Sequence, residues 1–189
     1  MINLWFYDEA TPSLERILQG VTHPRPILFR LGKMVEVALR AHFATREQDS
    51  PNKQGWPRQH FWAGIRRVTA LAGATDEGAT VTIAHPAIAL KVKSGTVKAQ
   101  EADNLAIPVH ESVYGIRARE CQIPGLFKWT NPKTEKEFLA SSVSGHLILY
   151  YHLREFTIHD PDPRALPDMN ELERRLCDRA AELVAEQKN

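Results

Sequence analysis

Apolar residues recur at helical spacing across the first quarter of the chain. Leu28, Leu31, Val35, Ala38 or Leu39, and His42 follow the i, i+3, i+4, i+7 rule, with Arg30, Lys33, Glu36 and Arg40 on the other face. The pattern predicts one long helix over residues 27–47, with a stripe wide enough to need a sheet or a second helix against it. Upstream, Thr11 as cap, Pro12 at the first helical position and Glu15 in the first turn predict a short helix that Gly20 stops. The stretch HPRP, His23 to Pro26, is a rigid connector. After a polar loop over residues 48–56, Phe61, Ile65, Val68 and Ala72 predict a second helix running from Pro57 to Gly73, with Arg58, Arg66 and Arg67 on a basic flank.

Beyond the turn ATDEG the period changes to two. ATVTIA, residues 79–84, alternates with β-branched residues and predicts a strand. Residues 86–104 predict one helical turn after Pro86, a turn at Ser94-Gly95, and an extended arm. LAIPV, residues 105–109, is a short strand in which Pro108 lacks a ladder donor and marks an edge or an end. Residues 124–130, 137–142 and 145–158 predict further strands, with NPKTEK as the turn between the first two; the last run is long enough that a bend or an interruption is expected. A proline-rich crossing, DPDPRALPD, leads to a C-terminal helix from Met169, marked by Leu172, Leu176, Ala180 and Leu183. Strands grouped between helices argue for one α+β domain over residues 1–189, its N-terminal helices and C-terminal helix packed on a mainly antiparallel sheet.

Composition adds little until charge is placed along the chain. The net charge is +1, which indicates neither a nucleic-acid coat nor a strongly acidic partner. Residues 49–100, however, hold seven Lys/Arg against three Asp/Glu, and residues 141–189 hold six against nine. Regions of opposite sign suit head-to-tail pairing of copies, an anionic surface on one side, or simply solvated faces. The two cysteines, Cys121 and Cys177, form no disulfide framework or clustered metal site. MINLWFYDEA has no basic leader and does not read as a signal peptide, and no apolar run approaches the roughly 18 residues of a membrane span. The chain reads as a cytosolic protein, or one assembled in the cytosol.

Candidate chemistry fails on ligands. His110-Glu111-Ser112-Val113-Tyr114 resembles HExxH, but Tyr114 stands where the second zinc ligand belongs. His23, His42, His60, His85, His146, His152 and His159 have no ligand-like spacing, and His42 beside the apolar stripe suits a satisfied core histidine. Ser141-Ser142-Val143-Ser144-Gly145 does not fit a nucleophile elbow, and there is no GxGxxG or GxxxxGK[ST]. The best enzyme alternative is a Mg²⁺-dependent nuclease using Glu135-Lys136-Glu137 at a hairpin tip, where such charges usually face solvent. A third reading is a DNA-binding accessory factor, with Lys91, Lys93 and Lys98 joining Arg58, Arg66 and Arg67 in one basic face. Trp56, Trp62 and Trp129 are not interleaved with basic residues, and read as core or interface anchors. The expectation is a protein that is not an enzyme, with no catalytic residue, no metal site and no cofactor.

Residues 58–120 also carry a likeness. The aromatic-led helix His60-Phe61-Trp62-Ala63, the strand Val81-Thr82-Ile83 after a DEG turn, and the lysine-rich stretch Ser94 to Lys98 all contribute to it. So do Leu105-Ala106-Ile107-Pro108 and Ala118 to Glu120, and upstream Leu39-Arg40-Ala41-His42-Phe43. Together they resemble the virion-morphogenesis and tail-completion proteins of tailed phages of the Mu type. The likeness covers about residues 27–120, with an echo in the proline-rich crossing and final helix. The family's arm has aromatics before a Gly-Gly pair; this chain has Leu90-Lys91-Val92-Lys93-Ser94-Gly95, a departure that bears on the arm's contacts rather than on the fold. The resemblance implies a structural virion protein at the phage neck or tail top, assembled in the host cytoplasm, forming a homo-oligomeric ring, sixfold or twelvefold, around the DNA channel. Its partners would be other copies, neighbouring connector or tail-tube proteins and, transiently, packaged DNA. On that reading Lys91, Lys93, Gly95, Lys98, Arg117, Arg119 and Glu120 lie at the subunit interface, and Arg58, Arg66 and Arg67 face the channel.

Overall fold

A computed structural model describes residue 18 and residues 22–49, 55–57, 59–100 and 102–186. Apart from Leu18, the short helix expected at Thr11 to Gly20 lies outside the described residues, as does Arg58. The chain forms two compact units, one made of residues 1–47, 62–86 and 166–189, the other of residues 48–61 and 87–165. The elements are α1 (Arg25–Asp49), α2 (Phe61–Arg67), β1 (Thr69–Ala74), β2 (Ala79–Ile83), α3 (Ile88–Val92), β3 (Gly95–Lys98), β4 (Leu105–Pro108), β5 (Phe127–Thr130), β6 (Glu137–Val143), β7 (His146–Arg154), β8 (Phe156–His159) and α4 (Met169–Glu186). The class is α+β, as expected, and the described strands all pair antiparallel, in three sheets: β1-β2, β3-β8 and β4-β7-β6-β5.

In the first unit, α1 packs on the β1-β2 hairpin. The side it buries is offset from the predicted stripe: Ile27, Gly32, Glu36, Leu39, Phe43 and Arg46 are buried, while of the stripe's residues Leu28, Leu31 and Val35 are only half-buried. Two residues account for the difference. Gly32 lets the hairpin approach so closely that a Cβ there would meet Leu71 Cδ1 at 2.6 Å and Ala79 Cβ at 2.8 Å. Glu36, 7% exposed, accepts the Leu71 N–H at 3.2 Å, Lys33 Nζ at 2.7 Å and Arg40 Nη1 at 3.2 Å. Leu71 sits at a bulge in the hairpin. These donors, Lys33 foremost, hold the Glu36 carboxyl below its ordinary range against the opposing effect of burial.

The hairpin also caps the helix that it covers. Asp76, in the β1-β2 turn, accepts the Arg25 N–H at 3.3 Å, placing a carboxylate at the positive end of α1. Pro26 falls in the first turn, where its missing N–H costs nothing. At the other end of the helix, Phe43 stacks on Trp62 at 5.9 Å and the Arg46 guanidinium lies 4.8 Å from the Trp62 ring. Ala63 donates its N–H to Glu47 at 3.0 Å, fixing the start of α2. α4 begins at Asp168, whose carboxylate takes the N–H groups of Asn170 and Glu171. Arg30 and Glu186 pair at 3.6 Å, so α4 runs antiparallel to α1.

The second helix is shorter than its pattern predicts. His60 has φ +51, a left-handed conformation that keeps it out of the helix, so α2 starts at Phe61. At its end the Ile65 carbonyl takes both the Val68 N–H at 3.2 Å and the Thr69 hydroxyl at 2.8 Å. That closes the helix, and residues 69–74 pair with β2 as a strand instead of extending it to Gly73. Val68 and Ala72 fit helical spacing, but the β-branched Thr69 and the partner strand decide the outcome.

In the second unit, β4-β7-β6-β5 carries a core of Val113, Tyr150 and Tyr151, with Ala106, Cys121, Ile123 and Leu139 packed on it. Strand 124–130 is confined to residues 127–130, because Pro124-Gly125 forms a turn. The β6-β7 connection is Ser144-Gly145, with φ +53 and +80, as a two-residue hairpin turn requires. The long run 145–158 is interrupted at Glu155, and its two parts join different sheets.

Gly32→Ala should lower the melting temperature, because the methyl group meets the rigid Cβ of Ala79, at a cost of about 1–3 kcal/mol partly offset by the better helix propensity of alanine. Gly64→Ala, where an added Cβ meets nothing within 4 Å, should raise it, by up to about 1 kcal/mol. Thermal unfolding followed by circular dichroism distinguishes the two; a stabilised Gly32→Ala protein would contradict the close approach of α1 and the hairpin.

Candidate subunit-interface surfaces

The arm expected over residues 86–104 has a partner within the chain. After α3, the strand Gly95–Lys98 pairs with Phe156–His159 in the register Thr96 to Ile158 and Lys98 to Phe156. The two-stranded ribbon is tied down at its base. Asp162 donates its N–H to the Lys91 carbonyl at 2.7 Å, and Lys91 Nζ lies 5.8 Å from the Phe61 ring. At Gly95 an added Cβ would sit 2.6 Å from Leu90 Cδ2, so the end of that side chain would have to shift to admit it.

Alternation along the ribbon puts Thr96, Lys98, Phe156 and Ile158 on one face, and all four are exposed. Phe156 is 47% and Ile158 65% exposed. A two-stranded ribbon is marginal by itself, and this one turns an aromatic and a β-branched residue to solvent, which makes it a candidate contact surface. Lys98 and Lys93 are exposed, Lys91 is half-buried, and Lys98 lies directly opposite Phe156.

The segment that carries the expected interface residues Arg117, Arg119 and Glu120, residues 109–120, is irregular but fixed. It has two single 3₁₀ turns, Glu111–Val113 and Ala118–Glu120. His110 caps the first, its Nδ1 accepting the Ser112 N–H at 3.2 Å and lying 2.8 Å from Ser112 Oγ. The residues of the imperfect zinc motif therefore serve a local turn. Arg117 and Arg119 lie within 3.8 and 3.7 Å of Glu120 in the same chain, and all three are exposed. Exposed pairs of this kind contribute about 0–1 kcal/mol, so they can exchange partners at little cost. The segment is anchored by Tyr151, fully buried, whose hydroxyl donates to the Ile116 carbonyl at 2.9 Å. Burial pushes its phenol up to about 12.

The first unit contributes two further features. Arg66 and Arg67 are exposed in the last turn of α2. Between α1, β2 and α4 lies an open apolar groove of about 480 Å³, lined by residues including Leu28, Leu31, Val35, Val81, Met169 and Leu176. None of its lining residues is charged. The stripe that predicts a buried helix face is thus the wall of a groove, because the hairpin packs on the adjacent Gly32–Glu36 side.

The nuclease candidates do not converge. Glu135 occupies a left-handed position, φ +56, in the β5-β6 turn, and Glu137 pairs with Lys128 at 2.7 Å. Among the described residues no group of three or more His, Cys, Asp or Glu is placed to hold a metal ion. Comparison with protein families, with curated proteins and with solved structures gives no match for this chain.

Tyr151→Phe should destabilise the protein by about 1–3 kcal/mol, since the Ile116 carbonyl loses its donor. The native phenol should show in alkaline titration. Its folded value lies above the ordinary 10.0, so the stability linked to the neutral form is fully present below pH 10 and lost as pH rises through about 12. Absorbance near 295 nm (the tyrosinate band) that lacks a late-titrating tyrosine removed by Tyr151→Phe would contradict the assignment.

Proposed function

We propose that this chain is a structural virion protein of a tailed phage, a tail-completion or head–tail joining component whose copies form a ring around the DNA channel. The observation that carries the oligomeric part of the reading is the β3-β8 ribbon, which turns Phe156 and Ile158 to solvent on a two-stranded sheet. The resemblance of residues 27–120 supports the neck location. The chain's charge layout also fits: a basic region over residues 49–100 and an acidic one over 141–189 suit a contact between unlike surfaces, the kind that closes into a ring. A lumen lined modestly with Arg66 and Arg67 lets DNA pass, whereas dense positive charge would hold it.

Native mass spectrometry of the purified protein should give a closed oligomer, sixfold or twelvefold. Deletion of Lys93–Ala99, which removes β3, should reduce it to smaller species; an unchanged oligomer would exclude the ribbon from the interface. Arg66→Ala with Arg67→Ala should weaken non-specific DNA binding uniformly across sequences and lower the salt slope by about 1–2. Mg²⁺-dependent DNA cleavage abolished by Glu135→Ala would overturn the structural reading in favour of a nuclease.

A further inference from the structure

The same chain carries an exposed apolar pair on its ribbon and an apolar groove, and both are open to solvent. Phe156 and Ile158 project from the ribbon of the second unit, and the groove of the first unit has no charged lining residue. We propose that the ribbon of one copy inserts Phe156 and Ile158 into the α1–β2–α4 groove of the next copy. The contact rests on the ring reading above and names the two surfaces that make the ring.

Charge favours this pairing over the symmetric one. Lys98 is exposed opposite Phe156 on the ribbon face. On α4, Glu173 is exposed one turn from both Met169 and Leu176, two residues of the groove wall. Neither Lys98 nor Glu173 has an ion-pair partner among the described residues. Insertion brings a cation on the ribbon to an anion on the groove's flank, with apolar side chains burying one another beside them. Packing ribbon on ribbon about a twofold axis would instead set Lys98 near its own copy and leave every groove open. A contact between two unlike surfaces repeats head to tail and closes when the rotation allows, which is what a ring requires.

The test uses substitutions at exposed positions, so that folding is retained and can be checked by circular dichroism. The ribbon variant is Phe156→Ser with Ile158→Ser; the groove variant is Met169→Lys with Glu173→Lys. Native mass spectrometry of wild type should show the closed ring, and each variant alone should fall to monomer, with association weakened at least tenfold. An equal mixture should recover dimers and nothing larger, because the ribbon variant still offers a groove and the groove variant still offers a ribbon. Wild-type rings with both variants still assembled, or a mixture without dimers, would overturn the contact and leave the ring reading standing. A monomeric wild type would overturn both. A variant that fails to fold is replaced by a photo-cross-linking residue at Ile158 in the otherwise native chain, assembled from mixed light and heavy copies. Light–heavy cross-links to α1 or α4 support insertion, and cross-links confined to β3 and β8 refute it.

Discussion

The first unit depends on one buried carboxylate. Glu36 sits at the centre of the α1 face that meets the hairpin, in a position where an unpaired charge would be intolerable. It is tolerated because three donors converge on it: an ammonium, a guanidinium and the backbone N–H of Leu71. The backbone donor matters most for architecture. It belongs to a bulged residue of β1, so the carboxylate fixes where along α1 the hairpin lies. Gly32, one turn earlier, removes the side chain that would hold the two apart. With the hairpin fixed to this polar side, the neighbouring stripe of Leu28, Leu31 and Val35 is left to form a groove wall with β2 and α4.

This arrangement explains which parts of the fold were legible. The long helix, the C-terminal helix, the ATVTI strand and the break in the last β run follow from period and length, and they appear where the pattern puts them. The side of α1 that is buried does not follow from period. Hydrophobicity points to Leu28, Leu31 and Val35, whereas the hairpin chooses Gly32 and Glu36 through a steric gap and a hydrogen-bond set that depend on residues 35 to 47 positions away in sequence. The second helix fails for a related reason. Val68 and Ala72 continue its stripe, but the Ile65 carbonyl is already occupied, and a partner strand competes for residues 69–74. Such competition between local spacing and distant pairing is invisible to a window of a dozen residues.

The interface candidates divide along the same line. Lys93, Lys98, Arg117, Arg119 and Glu120 are exposed, as polar loop chemistry alone implies. The apolar residues Phe156 and Ile158 fall in the long run 145–158, which reads as a strand with a bend or an interruption and does not single them out. The available signal was the strict alternation in Phe156-Thr157-Ile158-His159 after the break at Glu155, which marks one apolar face rather than two. Pairing with β3 then decides that this face carries Lys98 and Thr96 and looks outward.

Rigidity around the second-unit surfaces has a physical consequence for assembly. Residues 109–120 have little regular structure, yet they are held by the buried Tyr151 hydroxyl, the His110 cap and the packing of Val113 in the sheet core. A loop fixed in this way loses little conformational freedom when a neighbour covers it, so a small contact there keeps more of its interaction energy. Arg117 and Arg119 pair with Glu120 in water, where such exposed pairs contribute about 0–1 kcal/mol and re-pairing toward a neighbour costs little. In the proposed ring their contribution would be to choose register and to reject like-charged approaches, with affinity coming from apolar burial elsewhere. In the proposed ring the exposed Phe156 and Ile158 of the β3-β8 ribbon would supply it, dividing the work between a charged segment that orients and a ribbon that holds.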